Sequence, residues 1–146
     1  MLRLFRGAAG AHMGLLGPTV LLRMAALTSP QYDAEAERTL QSIADAVERA
    51  ADAINSRGGG SAADVDVSLE SGVLTMSLPP PKGTFVINKQ EPSLQLWYSS
   101  PVSGPKRFDF DAVQRKWVWS REGASEELIN LLRRELRILL GRKIDI

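Results

Sequence analysis

Over Leu94–Ser99 the chain reads LQLWYS, with Leu94, Leu96 and Tyr98 alternating against Gln95, Trp97 and Ser99. Successive residues of a strand point to opposite faces. The run therefore predicts a half-buried strand whose Leu/Tyr face is the core. The same period of two recurs on both sides of it. In Val65–Leu69, Val65, Val67 and Leu69 turn inward while Asp64, Asp66 and Ser68 turn outward. Glu70–Gly72 is a tight turn, and Val73–Leu78 is the next strand. Pro79–Pro81 bars further ladder pairing there. Gly83–Gln90 and Leu94–Ser99 form a pair joined at Gln90–Ser93. Lys106–Phe110, with Phe108 and Phe110 inward, and Trp117–Ser120 complete about six strands. Links this short make neighbours antiparallel.

Helices flank this array. From Asp33 to Asn55, Ala36, Leu40, Ile43, Ala44, Val47, Ala51 and Ile54 recur at helical spacing. Glu37, Gln41, Asp45, Glu48 and Asp52 fall on a neighbouring arc, which gives the helix an acidic edge. Gly58–Gly60 and Ser61 make a flexible link. A last helix starts near Ser125, an N-cap residue, with Glu126 and Glu127 in its positive first turn. Leu128, Leu131, Leu132, Leu136, Leu139 and Leu140 form its apolar side, and Gly141 ends it. The expected fold is α+β: a two-layer sandwich with both helices on one face of an antiparallel sheet. Leu40, Val47, Leu132 and Leu136 are expected inside. The second sheet face, which carries Trp97, is left to solvent or to a partner.

The chain has no cysteine, which excludes disulfides, thiolate metal sites and thiol catalysis, and its one histidine is His12. No catalytic residue emerges. Asp33–Glu70 holds nine acids and three bases, and Lys82–Ile146 holds twelve bases and eight acids. Such an acidic first part argues against nucleic acid. Residues 1–30 contain no acid, and Arg3, Arg6 and Arg23 are spread among leucine, alanine and glycine. That is the pattern of a cleaved mitochondrial transit peptide. The rival is a secretory signal, but Gly14, Gly17 and Pro18 interrupt its apolar run and Arg23 follows directly. The run is too short to span a bilayer, and no membrane partner is expected. The folded domain is expected over residues 31–146.

Two candidate sites follow. Asn88, Gln90, Gln95 and Trp97 are neighbours on the polar sheet face, with Lys89 and Arg107 adding positive charge at its margin. An exposed indole among amides suits a protein interface. The alternative is an ordinary wet face, with Trp97 covered by a long side chain or by the Ser99–Gly104 loop. The second site is the acidic edge. Without His or Cys in the folded part, only oxygen ligands remain, and these suit hard cations including Fe(III), and Fe(II) weakly. Glu37, Asp45, Glu48 and Asp52 share the edge, and Asp64 and Asp66 are expected alongside on the edge strand. The alternative is a solvated helix face. Arg38, Gln41 and Arg49 thin the edge, and Arg49 is placed to pair with Asp45 at i, i+4.

The ordered motifs Val86–Gln90 (VINKQ), Leu96–Trp97, Ser99–Pro101 (SSP) and Ser103–Arg107 (SGPKR) resemble the central sheet of the frataxin family. The resemblance extends to Trp117–Val118 and to both helices. It implies the same sandwich fold, a place in the mitochondrial matrix and a role in iron–sulfur cluster assembly. In that family the positions matching Asn88, Trp97 and Arg107 contact the iron–sulfur scaffold protein and the cysteine desulfurase. The acidic ridge is implicated in iron binding. The main expectation is a regulatory subunit that speeds sulfur transfer while binding iron weakly through carboxylates. The alternative is an iron chaperone with ferroxidase activity. A monomer is expected, with iron-dependent oligomerisation as the alternative. Many frataxins carry a longer tail over the end of the core, and here Ile144 and Ile146 are the tail residues able to take that role.

Overall fold

The computed structural model describes residues 27–56 and 65–146. Most of the presequence, the Gly58–Gly60 link and Asp64 lie outside the described residues. Helix α1 (Ser29–Asn55) begins four residues earlier than the apolar periodicity predicts. Thr28 explains the early start. Its backbone N–H and its hydroxyl both donate to Gln31 Oε1, each at 3.0 Å, which ties off the first turn. Pro30 sits in that turn, where its fixed φ suits a helix and its missing N–H costs nothing. The extra turn brings Tyr32 into the core.

Among the described residues seven strands follow: β1 (Asp66–Glu70), β2 (Val73–Ser77), β3 (Thr84–Gln90), β4 (Gln95–Ser100), β5 (Gly104–Asp111), β6 (Lys116–Arg121) and β7 (Ala124–Glu127). They lie in sequence order in one sheet, each antiparallel to the next. A single 3₁₀ turn, Glu91–Ser93, joins β3 to β4.

The seventh strand corrects the start of the last helix. Ser125 is not its N-cap; it pairs with Ser120 inside β7, and helix α2 runs Leu128–Leu140. The cause is the link before it. Glu122 and Gly123 both take positive φ, +48° and +83°, the pairing that lets a two-residue turn match strand twist. The chain therefore folds back as a hairpin before turning helical. Glu126 and Glu127 end β7, where they pair with Arg134 and Lys116.

Both helices cover one sheet face, as expected, with α1 over the β1 side and α2 over β6 and β7. Leu40, Val47, Leu132 and Leu136 are buried among Leu74, Met76, Phe85, Ile87, Leu96, Tyr98 and Phe108. Tyr32 and Trp117 meet edge to face at 6.0 Å, and Trp117 Nε1–H donates to Thr39 Oγ1 at 3.0 Å. Glu135 of α2 is also buried. Its carboxylate accepts hydrogen bonds from the hydroxyls of Tyr98 and Ser100, both at 2.5 Å. Ser100 Oγ in turn accepts the N–H groups of Val102 and Ser103. That knot fastens the β4–β5 turn to the helix layer. Ile144, 2% exposed, closes the end of the core, and Ile146 packs against it.

Candidate functional site

Among the described residues no helix lies on the second sheet face, and its side chains are arranged by cross-strand register. Asn88 of β3 is opposite Trp97 of β4, and Trp97 is opposite Arg107 of β5. Side chains paired this way stand on the same face. The Arg107 guanidinium lies 4.4 Å from the centre of the Trp97 ring, in cation–π range. Trp97 Nε1–H donates to Gln95 Oε1 at 3.2 Å, and Gln95 Nε2–H donates to Asp109 Oδ1 at 2.9 Å. Gln90 is opposite Gln95 in the same register. Trp97 is partly exposed, so the Arg107 side chain shields it without hiding it. The 101–103 turn is occupied with Ser100 and Glu135 instead.

Asp109 is a member of this constellation that sequence reasoning missed. Its signal was available, because Asp109 stands two residues from Arg107 on the same strand and must share its face. The hydrogen bonds fix the indole edge and the amide of Gln95 in one orientation. Side chains held this way have little conformational entropy left to lose on any contact.

Lys89 is a correction. It is opposite Leu96, a core residue, and therefore points to the helix side of the sheet. Its side chain is only 11% exposed and its ammonium pairs with Asp33 and with Glu37 of α1, the latter at 3.2 Å. The hydrogen bond to Asp33 and then that to Glu37 raise the Lys89 pKa above the ordinary lysine value. Lys89 thus ties α1 to β3 and is not part of the open face. Asp33 is its principal partner, one the acidic periodicity did not single out.

The acidic edge is real but open. Glu37 is engaged by Lys89. Asp45 accepts from Gln41 Nε2 at 2.7 Å, in place of the expected pair with Arg49. Glu48 and Asp52 are exposed. Asp66 does not join them. It is opposite Ser77 on the open sheet face, because Val67 and Leu69 take the helix side of β1. At about 1.5 Å rise per residue, Glu37 and Asp52 are about 22 Å apart along the axis. The edge therefore offers pairs of carboxylates, Asp45 with Glu48 and Glu48 with Asp52. Among the described residues no group of three or more acids gathers into a metal-binding cluster. Oxygen donors in pairs fit a hard cation loosely.

The chain matches the Frataxin-like domain over residues 25–142. It is 40% identical over 116 residues to the mitochondrial frataxin of Caenorhabditis elegans, spanning 79% of each chain. It is 34% identical over 120 residues to the mitochondrial frataxin homolog of Schizosaccharomyces pombe, spanning 82% of this chain and 70% of that one. Among solved structures it is similar to trimeric frataxin from Saccharomyces cerevisiae, described as complexed with ferrous iron. That match has 31% identity and a TM-score of 0.59, over 86% of this chain and 100% of the other. These relatives are named as mitochondrial, and the protein is mitochondrial. Sheet order, helix layer and matched residues lead to one assignment: the chain belongs to the frataxin family.

Proposed function

We propose that this protein is an iron–sulfur cluster assembly factor of the mitochondrial matrix. It binds the complex of cysteine desulfurase and scaffold protein and stimulates sulfur transfer. The observation that carries this reading is the Trp97 lattice: an indole left partly exposed, stacked on Arg107 and oriented by Gln95 and Asp109 on a face that no helix among the described residues covers. Aromatic and arginine side chains held in place are the usual energetic centres of protein interfaces. The acidic edge of α1 lies on the other layer, so basic surface on the desulfurase can reach it while Trp97 packs on the scaffold. Iron is cargo in this reading, held weakly by Asp45, Glu48 and Asp52.

Trp97→Ala tests the proposal. Loss of one anchoring aromatic should cost about 2 kcal/mol of partner binding, roughly thirtyfold in Kd. The fold should barely change, because the ring is outside the core. Normal stimulation of desulfurase turnover by this variant would sink the reading. The second reading is an iron chaperone that oxidises Fe(II), with dioxygen as electron acceptor. It is favoured by the ferrous complex of the yeast relative. Fe(III) formation with Fe(II) and oxygen but no partners, faster than the uncatalysed reaction, would favour it over the first.

A further inference from the structure

Helix α2 leaves a stripe to solvent that neither the core nor the Trp97 face uses. Arg134 and Ile138 stand one turn apart on it, Arg137 adjoins Ile138, and Arg142 and Lys143 follow past the Gly141 cap. Ile138 is 63% exposed, the most exposed large hydrophobic side chain among the described residues. The one acid in α2, Glu135, is buried beneath it. Arg134 is shared with Glu126 and Lys143 with Asp145, whereas Arg137 and Arg142 carry no ion pair among the described residues.

The stripe belongs to a larger polarity. Helix α1 holds six acids and two bases, whereas residues 128–146, α2 and the tail after it, hold five bases and two acids. Because α1 packs over β1 and α2 over β6 and β7, these charges sit on opposite flanks of the helix layer. An anionic surface would therefore attract the α2 flank and turn the α1 flank away.

We propose that this stripe is a peripheral docking surface for anionic phospholipid. The expectation of no membrane partner rested on the lack of a spanning segment, and surface contact needs none. A helix back is convex, and one isoleucine among arginines is far too little apolar area for a stable protein interface, which buries about 800 Å² per partner. A headgroup layer asks for less: cations over phosphates and an aliphatic side chain entering the acyl boundary. Docked this way, the protein keeps Trp97 free, because the open face is on the other side of the sheet.

The test is co-sedimentation of the full chain with phosphatidylcholine vesicles, with and without cardiolipin. It is run in parallel on a background with Arg3, Arg6 and Arg23 changed to Gln, which removes binding by the basic leader. The expected result is salt-sensitive binding to the cardiolipin vesicles alone, lowered about fivefold by each of Arg137→Gln and Arg142→Gln. Ile138→Ser should lower it further, and all three exposed changes should leave the melting curve in place. Binding that is unaffected by these changes, equal on neutral vesicles, or lost with the leader arginines alone overturns the proposal. So does a stripe variant that keeps vesicle binding but weakens self-association, which would assign the surface to a second copy.

Discussion

Replacing Lys89 with methionine separates the two sheet faces. Methionine keeps the aliphatic stem that lies against Gly72, where an added Cβ would approach Lys89 Cδ at 3.0 Å, so packing is largely retained. What is lost is the ammonium shared by Asp33 and Glu37, and two carboxylates one turn apart are left to repel. The acids are half and more exposed, 49% and 71%, so each pair has the modest worth of a solvent-screened bridge, at most about 1 kcal/mol. The expected loss is about 1 kcal/mol in all, which lowers Tm by about 4 °C in a domain of this size. Thermal melts in low salt and in 1 M salt check this, since salt screens the pairs and should shrink the gap between variant and parent. A double-mutant cycle with Glu37→Gln should reveal coupling between the two sites. Desulfurase stimulation should survive at temperatures where the variant is folded. An unmoved melting curve together with lost stimulation would place Lys89 on the partner-facing side and refute the register argument.

Tyr98→Phe should flatten the fall in stability above about pH 10. Burial, then the bond to Glu135, raises the Tyr98 pKa above its ordinary value of 10.0, so the unfolded chain ionises first and unfolding is favoured as pH climbs; denaturant midpoints from pH 8 to 12 measure it. Ile144→Ala removes a buried side chain from the end of the core and should cost about 2–3 kcal/mol, read by denaturant unfolding, with partner binding retained in the cold. Glu48→Gln with Asp52→Asn removes an i, i+4 pair of carboxylates from the edge. It should abolish most Fe(II) binding in a titration while slightly raising Tm, because like charges at i, i+4 repel.

The alternation in Leu94–Ser99 made the sandwich legible, since only one face of each strand can be apolar when helices cover one side. Placement by parity was legible too, though unevenly used. Ile87 and Lys89 share a face by the same period that puts Asn88 and Trp97 together. The lysine reads as surface only when its charge is weighed above its position. Asp66 illustrates the converse: its outward parity was plain, but outward on an edge strand meant the side away from α1. The hairpin of β7 left a fainter trace. Ser125–Glu127 has no apolar alternation, and a serine ahead of leucines looks like a helix cap until Glu122–Gly123 is read as a two-residue turn. The hydrogen bonds from Trp97 through Gln95 to Asp109 depend on side-chain rotamers that no periodicity specifies.

The knot of Glu135 with Tyr98 and Ser100 has a consequence for how the sequence can change. Each single substitution strands a partner: without the carboxylate two buried hydroxyls lose their acceptor, and without a hydroxyl the carboxylate loses a donor. An orphaned buried polar group costs about 1–3 kcal/mol, more when charged, whereas replacing all partners by apolar groups of similar shape is nearly neutral. Phenylalanine, alanine and leucine at 98, 100 and 135 would remove the carboxylate and both hydroxyls together, but alanine also takes the acceptor from the N–H groups of Val102 and Ser103, so even the full exchange keeps a cost. The three positions are energetically coupled, and a change from one combination to another crosses a valley rather than descending a slope.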